Sequence, residues 1–436
     1  MEHKVEEVKL KCGAKGLLID VPDAPVVCME IWFRAGDAYT PSVDKLETAH
    51  LMEHIAFAAN KEQKNAAEVA RVISKYGADY NAHTSKNFLS YEITCPDFDW
   101  ERLLKHLVMQ VTTPKFLKKE FDAEFGNVKE EMQLRSNNKW TELGDRMNQS
   151  FGFDYAQTNL ERLELMSNVK YTDIKQHYLN THFVNNCLFF IAGPIKENRN
   201  NIIEILEGLK ELPSGPKLKL PEKIVPNAFS TNPVFIPKED VPNVFASIEM
   251  FAFNGINEDE LTANLVCLCN VMGNGDHSRV YGKARAKGIV YGLGFSRTSR
   301  EDGLYSIDVS FQVSKDNMPK LLELLVKEMK DVVENGLNNQ EVEEAIMAIK
   351  GSMRMSNQTA GRILNWNVGW YISSEEEQIH DYDKVASYYD KVTPESIQKL
   401  FLNLIKTKKW GAGFLGNVTE KDAKKWNAKL AEIFED

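Results

Sequence analysis

The sequence predicts an α+β protein made of two similar halves. Strand-like and helix-like segments are mixed within each half, a proline-rich stretch separates the halves, and two segments of the first half align in order with two of the second. The 436 residues are 43% hydrophobic and 27% charged. This composition is typical of a globular chain of two or three domains and excludes a disordered one.

Each half contains both kinds of element. In the first half, residues 26–33 and 88–95 are predicted strands, the second because apolar and polar side chains alternate along it. Residues 46–59 and 118–135 are predicted helices. In the second half the same patterns predict a strand over 303–313 and three helices over 258–272, 318–335 and 340–356.

Proline marks the boundary between the halves. Seven of the 15 prolines fall between Pro213 and Pro242, a density that cannot continue a helix and indicates an extended linker. We therefore predict a first domain over 1–212, a linker over 213–242 and a second domain over 243–436. The acidic run at 374–378 is predicted to be a solvated face or loop.

The two halves share a sequence pattern. LETAHLMEH (46–54) aligns with ELTANLVCL (260–268), and KYGADYNA (75–82) aligns with AKGIVYGL (286–293). This order predicts an internal duplication of one α+β unit. The copies differ at the polar cluster, where His50, Glu53 and His54 correspond to Asn264, Cys267 and Leu268.

Charge and cysteine content exclude several classes of protein. The net charge is −10 and no dense basic stretch is present, which argues against a nucleic-acid partner. The six cysteines form no CxxC pair and are predicted to be reduced, buried thiols. The sequence has no apolar run long enough for a membrane span and no secretory signal pattern, so we expect a cytoplasmic protein with no membrane partner.

The motif His50-Leu51-Met52-Glu53-His54 carries the clearest chemistry. On a helix, His50 and His54 lie one turn apart on the same side, and Glu53 lies beside them. Two imidazoles so placed can hold one metal ion, and zinc hydrolases use two histidines, a further carboxylate and an open position for water. The HxxEH order is a named metallopeptidase signature.

The surroundings of the motif favour a metal over a structural hydrogen-bond cluster. The helix is apolar almost all round, which predicts burial, and buried imidazoles and carboxylates need a partner. The third ligand is expected on the helix over 118–135, which offers four glutamates. Glu124 and Glu131 point the same way, and the residues alone do not choose between them; the four are Glu120, Glu124, Glu130 and Glu131.

HLMEH, followed after 76 residues by a glutamate in VKEEM, resembles the inverzincin family of pitrilysin, insulin-degrading enzyme and mitochondrial processing peptidase. The resemblance implies one Zn²⁺ per chain, held by His50, His54 and Glu131. It implies Glu53 as the general base. Glu124 matches the additional acid of the family, which supports the site from outside the ligand set.

Two further segments extend the resemblance along the whole chain. YNAHTSKNFLSYEI is similar to the family segment that pairs with extended substrate, which implies that Asn81 and Ala82 contact the substrate backbone. GNGDHSRVYGKARAKGIVYGL resembles the segment that supplies an arginine and a tyrosine to substrate and oxyanion, here Arg285 and Tyr291. These two are six positions apart where the family usually has seven, and Ala284 occupies the expected position.

The resemblance implies two homologous α/β-sandwich domains that form half of a clamshell peptidase chamber. It implies a zinc metalloendopeptidase that cleaves peptides or small unfolded proteins with Glu53 as base. A homodimer is expected, with a heterodimer containing a zinc-free homologue as the alternative. Two other functions compete: a non-catalytic peptide-binding subunit, and a processing peptidase that removes targeting sequences by a narrow cleavage rule.

Overall fold

The structure is a computed structural model that describes residues 1–153, 156–222, 232–252, 258–299, 305–373 and 376–435. Its contacts divide the chain into two compact units. Unit 1 contains Met1–Leu134, Leu160–Pro221 and Arg354–His380, and unit 2 contains Arg135–Asn159, Glu222–Met353 and Asp381–Asp436.

The elements run as follows within the described residues. The strands are β1 (Lys4–Lys9), β2 (Lys15–Asp20), β3 (Val26–Phe33), β4 (Asp79–Thr84), β5 (Leu89–Pro96), β6 (Cys187–Gly193), β7 (Val234–Pro237), β8 (Asn243–Ala252), β9 (Leu293–Ser299), β10 (Tyr305–Ser314) and β11 (Trp410–Gly416). The helices are α1 (Glu47–Ala56), α2 (Ala66–Ser74), α3 (Trp100–Thr112), α4 (Lys118–Arg135), α5 (Lys139–Ser150), α6 (Asn159–Leu165), α7 (Tyr171–Thr181), α8 (Arg199–Leu206), α9 (Glu258–Gly273), α10 (Tyr281–Ala286), α11 (Met318–Asn335), α12 (Asn339–Ser356), α13 (Ala360–Ile372), α14 (Tyr382–Tyr388), α15 (Pro394–Lys406) and α16 (Glu420–Ala431).

Unit 1 is built on a six-stranded sheet in the order β1-β2-β6-β3-β5-β4. The strands are antiparallel to their neighbours except β2 and β6, which are parallel. Val27, Met29 and Ile31 alternate along β3 and join the core that includes Leu51 and Ile55 of α1. The strand period of two therefore places helix α1 on one face of this sheet.

The opposite face of the same sheet is covered by α13. Ile363 and Tyr371 of this helix pack with Leu17 of β2 and Phe190 of β6, all of them fully buried. A helix from the C-terminal half of the chain thus completes the core of unit 1, the unit that contains the N-terminus.

Unit 2 repeats the arrangement with a five-stranded sheet in the order β7-β11-β8-β10-β9. Again one pair, β7 and β11, is parallel and the other neighbours are antiparallel. One face of this sheet is covered by α5, whose Leu143 and Met147 pack with Phe251 of β8 and Leu415 of β11. The matching strand order confirms the predicted duplication and the α+β class.

The compact units differ from the predicted domains in two segments. Residues 135–159 belong to unit 2 and residues 354–380 to unit 1, because each contains a helix that packs on the sheet of that unit. Within the predicted linker, residues 223–231 lie outside the described part of the chain, and β7 forms an edge strand. Pro237 ends β7, a position where a missing N–H is tolerated.

The acidic run was predicted to be a solvated face or loop; residues 376–378 do lie outside helices and strands, and residues 374–375 lie outside the described part of the chain. Glu377 itself is not solvated. This side chain is 3% exposed and pairs with Arg34 at 3.0 Å and with Lys217 at 2.7 Å. A fully buried guanidinium needs a carboxylate partner, and the local sequence around 374–378 gives no sign of one.

The predicted thiol state is confirmed, since the six cysteines are free and all except the half-buried Cys12 are buried. No helix in the described part of the chain combines the length and the apolar character needed to cross a bilayer.

Candidate metal centre

Helix α1 presents the HxxEH side chains from a buried position. Eight of its ten residues are buried, as the sequence predicts for a helix that is apolar almost all round. One helical turn separates His50 from His54, and their ring centroids are 5.0 Å apart. The ligand atoms of His50, Glu53 and His54 lie within 4.8 Å of one another.

Glu131 of α4 completes the convergence. Its Oε2 lies 3.4 Å from Nε2 of His50 and 3.3 Å from Nε2 of His54. In a tetrahedral zinc site with ligand bonds of about 2.0–2.1 Å, the ligand atoms lie about 3.3–3.4 Å from one another. The two nitrogens and this oxygen therefore fit a single Zn²⁺, and their chemistry is the two-histidine, one-carboxylate set of zinc hydrolases.

Each imidazole is held through its other nitrogen. Nδ1 of His50 donates to Oε2 of Glu47 at 2.8 Å, and Nδ1 of His54 donates to Oε2 of Glu124 at 3.0 Å. A carboxylate at Nδ1 fixes the tautomer and leaves Nε2 free to bind a metal ion. Glu124 thus lies beside His54 and outside the three converging atoms.

The carboxylates around the histidines shift their acid–base equilibria. Burial lowers the pKa of His50, but hydrogen bonds to Glu131 and Glu47 outweigh it and raise that pKa to about 9. The hydrogen bond with His54 lowers the pKa of Glu124. At neutral pH and without a metal ion, the imidazole of His50 is therefore in its charged, doubly protonated form. Metal binding must release one of these two protons.

Glu53 is oriented by the edge strand of the sheet. Oγ1 of Thr84, the last residue of β4, donates to Oε2 of Glu53 at 2.6 Å. A short hydrogen bond to an ionised acceptor is among the stronger protein hydrogen bonds. The carboxylate beside the two histidines is therefore held in one orientation.

Strand β4 also carries the predicted substrate-binding residues. Among the described strands, β4 pairs only with β5, so its other edge is free to accept an extended peptide. Asn81 is exposed, and its side chain lies 3.0 Å from Nε2 of His83. Ala82 is 8% exposed and its side chain joins the core, so only its main chain is open to a peptide.

The two residues predicted for the oxyanion lie in unit 2 and contact each other. Nη1 of Arg285 donates to the carbonyl oxygen of Tyr291 at 3.1 Å, and its guanidinium lies 5.2 Å from the ring centroid of Tyr291. The side chain of Tyr291 is 86% exposed. Nε of Arg285 also lies 3.4 Å from Oδ1 of Asp276.

Sequence reasoning missed four residues that support the site. Glu47 shares a helix face with His50 because it lies three positions before it, so this signal was present in the sequence. Thr84 lay in a segment that was noted only for substrate binding. The remaining two, Arg162 and Asp37, lie outside helix α1 and carry no spacing signal.

Family models match two long parts of the chain. One described as Insulinase (Peptidase family M16) matches residues 17–161, and one described as Peptidase M16 inactive domain matches residues 168–349. Together they span both halves of the sequence, and the first contains all of the converging site residues.

Individual proteins agree with the family models. An uncharacterized zinc protease of Streptomyces coelicolor is 20% identical over 99% of this chain and 94% of its own length. The uncharacterized zinc protease YmxG of Bacillus subtilis is 22% identical over 81% of this chain and 85% of its own. The mitochondrial-processing peptidase subunit beta of Caenorhabditis elegans is 24% identical over 54% of this chain and 50% of its own.

Solved structures share the whole fold. A peptidase M16 inactive domain from Pseudomonas fluorescens has a TM-score of 0.79 at 17% identity, covering 95% of this chain and 98% of its own. A protease from Helicobacter pylori has a TM-score of 0.77 at 16% identity, covering 94% of this chain and 99% of its own. By its two domains and its fold, this chain belongs to peptidase family M16.

Proposed function

We propose that this chain is a zinc metalloendopeptidase that cleaves peptides or small unfolded proteins. The observation that carries the proposal is the position of Oε2 of Glu131, which lies 3.4 Å from Nε2 of His50 and 3.3 Å from Nε2 of His54. The zinc proteases among its relatives support the same activity. One ion per chain fits this donor set.

A zinc ion bound there would polarise the scissile carbonyl and lower the pKa of a water molecule. Glu53 accepts the proton of the attacking water and passes it to the leaving amine, as a general base and then a general acid. The hydrogen bond from Thr84 supports this role, because it leaves the other carboxylate oxygen of Glu53 to exchange the proton.

The substrate binds as a strand added to the free edge of β4. Main-chain hydrogen bonds from this edge, including those at Asn81 and Ala82, hold the peptide extended, and extended peptides come from unfolded segments. Because Thr84 belongs to the same strand, the strand that binds the substrate also orients the base. This shared support keeps the scissile bond in register with Glu53.

Tyr291 and Arg285 are assigned to the oxyanion or to a substrate carbonyl. A hydroxyl or guanidinium donor placed there stabilises charge that develops during attack. The active assembly is a homodimer, in which the second domain of one chain supplies Tyr291 to the zinc site of another. A heterodimer with a zinc-free homologue would serve the same purpose.

A non-catalytic peptide-binding subunit is the second candidate. The description of the model over residues 168–349, Peptidase M16 inactive domain, favours it for the second half of the chain. This candidate keeps the free edge of β4 as a peptide-binding site and assigns no proton transfer to Glu53.

The test is hydrolysis of a pool of unstructured peptides. Wild type should cleave, a chelator should abolish cleavage and added zinc should restore it. Glu53→Gln should lose about 10²- to 10⁴-fold in kcat and still bind zinc, because only the proton transfer is removed. A wild type that binds zinc and peptide without cleaving would support the binding subunit instead.

A further inference from the structure

A chain of charged side chains leads away from the metal centre through His50. Oε2 of Glu47 accepts from Nδ1 of His50 at 2.8 Å, and Oε1 of Glu47 accepts from Nε of Arg162. Nη1 of Arg162 in turn donates to Oδ2 of Asp37 at 3.0 Å. These charged side chains belong to α1, to α6 and to the short helical turn Asp37–Tyr39. Glu47, Arg162 and Asp37 all lie within unit 1.

We propose that Glu47, clamped by Arg162, is a positioning residue that sets the orientation of His50 and thereby the zinc affinity of the site. The inference rests on the proposed function, because it assumes that His50 is a zinc ligand. Neither Glu47 nor Arg162 is one of the converging ligands, and neither belongs to the HxxEH motif.

The geometry of Glu47 supports the inference. Both of its carboxylate oxygens are engaged, one by the imidazole and one by the guanidinium, so the carboxylate cannot rotate without breaking a charged contact. Its side chain is 3% exposed, and water therefore cannot replace either partner. A carboxylate fixed in this way makes Nδ1 the donor and holds Nε2 toward the metal position.

The two histidines are supported differently. Glu124, which holds His54, has a 16% exposed side chain and takes its second contact from the neutral amide of Asn127 at 3.2 Å. Glu47 takes its second contact from a guanidinium that a second carboxylate holds in place. His50 is therefore the more rigidly placed of the two imidazoles.

Arg162 lies close to the point where the polypeptide re-enters unit 1. The chain leaves unit 1 after Leu134 and returns at Leu160, so Arg162 lies two residues after the return. The clamp on Glu47 thus depends on how this segment docks back onto unit 1. Lys would not replace Arg162 here, because only a guanidinium can bridge two carboxylates with fixed geometry.

A matched control separates positioning from plain stability. Glu377 is also 3% exposed, also lies in unit 1 and also pairs with an arginine, Arg34, at 3.0 Å. It does not hydrogen-bond to any of the three converging ligands. Glu47→Gln and Glu377→Gln therefore make the same chemical change in equally buried ion pairs, one of which contacts His50.

The experiment measures the zinc Kd by competition with a chromophoric chelator, the absorption spectrum of the Co²⁺-loaded protein, and the Tm of the chelated protein. Glu47→Gln should raise the zinc Kd about 10- to 100-fold and change the Co²⁺ spectrum. Glu377→Gln should leave both at the wild-type values, although both variants lower the Tm. Arg162→Lys, which keeps the charge, should raise the Kd by a smaller factor and provides the test if Glu47→Gln does not fold.

An unchanged zinc Kd in Glu47→Gln, or in Arg162→Lys where that variant is used, would overturn the positioning role and leave the proposed function intact. An equal loss of affinity in Glu377→Gln would also overturn it, because the effect would then follow from general stability. Absence of zinc binding in wild type would reject the metal site itself, and the positioning role with it.

Discussion

Helices α1 and α9 occupy the same place in the order of elements of the two units, and only α1 carries two imidazoles and a carboxylate at the three aligned positions. In chain order, α1 lies between β3 and β4, and α9 lies between β8 and β9. Strands β4 and β9 are each at one edge of their sheet. In α9, Cys267 and Leu268 are at most 2% exposed, and Oδ1 of Asn264 accepts from Oγ of Ser396 at 2.5 Å.

This difference distinguishes the residues that the fold requires from the residues that belong to the candidate metal centre. Unit 2 closes its core with a thiol and a leucine where unit 1 places Glu53 and His54. Burying charged groups costs free energy unless they are paired. Because the fold forms without such groups in unit 2, those of α1 are not required by the fold, which agrees with the zinc site proposed for them.

The largest effect is expected when unit 1 receives the residue of unit 2. His54→Leu introduces the side chain found at Leu268 and removes one of the three converging atoms. Zinc affinity should fall by at least about 10³-fold and peptidase activity should disappear, while the Tm of the chelated protein changes little. Isothermal titration and thermal denaturation measure both. The control variant His83→Leu changes an exposed histidine and should bind zinc with the wild-type affinity. A large loss of Tm in His54→Leu would contradict the conclusion that the fold of unit 1 does not require His54.

The reverse exchange should destabilise unit 2. Cys267→Glu places a carboxylate at a position with 0% exposure inside the apolar core of unit 2. The free energy of unfolding should fall by about 3–5 kcal/mol in urea titrations, because the carboxylate loses its hydration there. Cys267→Ala should cost about 1 kcal/mol. Equal stability of Cys267→Glu and Cys267→Ala would show that α9 tolerates the charge.

A third comparison concerns paired carboxylates on the two sheets. Glu30 of β3 lies opposite Glu92 of β5, and Glu249 of β8 lies opposite Asp308 of β10. Burial and the charge of Glu92 raise the pKa of Glu30 to about 8, against a hydrogen bond from Trp32 that lowers it. Burial likewise raises the pKa of Asp308.

The raised pKa of Glu30 predicts a pH-dependent stability. Between the ordinary pKa of a glutamate, 4.5, and the raised pKa of about 8, the unfolded chain has released this proton and the folded chain holds it, so stability falls as pH rises through this window. Glu30→Gln removes the ionisable group and should be more stable than wild type by about 4 kcal/mol at pH 8, with no gain at pH 4. Urea titrations across this range measure it. A difference that is constant with pH would reject the assignment.

The smallest effect is expected at the support of the base. Thr84→Val removes the hydrogen bond to Glu53 and keeps the shape of the side chain. A hydrogen bond to a charged group contributes about 1.5–3 kcal/mol, so kcat should fall roughly 10- to 100-fold while the zinc Kd stays constant. Thr94→Val makes the same change on an exposed part of β5 and should be silent. A wild-type kcat in Thr84→Val would show that Glu53 needs no such support.

Much of the fold was predictable because it depends on local patterns. The predicted strand over 26–33 and helix over 118–135 coincide with β3 and α4, since alternation and helical periodicity are encoded within each segment. The helix over 318–335 is likewise confirmed as α11. The strand predicted over 303–313 is described from residue 305, as β10.

The convergence of His50, His54 and Glu131 was predictable for a different reason. Two of the three share one helix, so their geometry follows from the helical repeat alone. The third was chosen over Glu124 only through resemblance to a family, because the local pattern of α4 favours neither. The structure then places Glu131 at Nε2 of both histidines and Glu124 at Nδ1 of His54.

Periodicity, the HxxEH motif and the alignment of two short segments between the halves were enough to specify the α+β class, two proposed ligands and the duplication, because each is a pattern within short segments of the sequence. The helices exchanged between the halves, the burial of Glu377 against Arg34 and the clamp of Arg162 on Glu47 were settled only by tertiary packing. Each joins segments more than a hundred residues apart. Partners at such separations are selected by the shape and charge of surfaces that exist only after folding, so no local pattern records them.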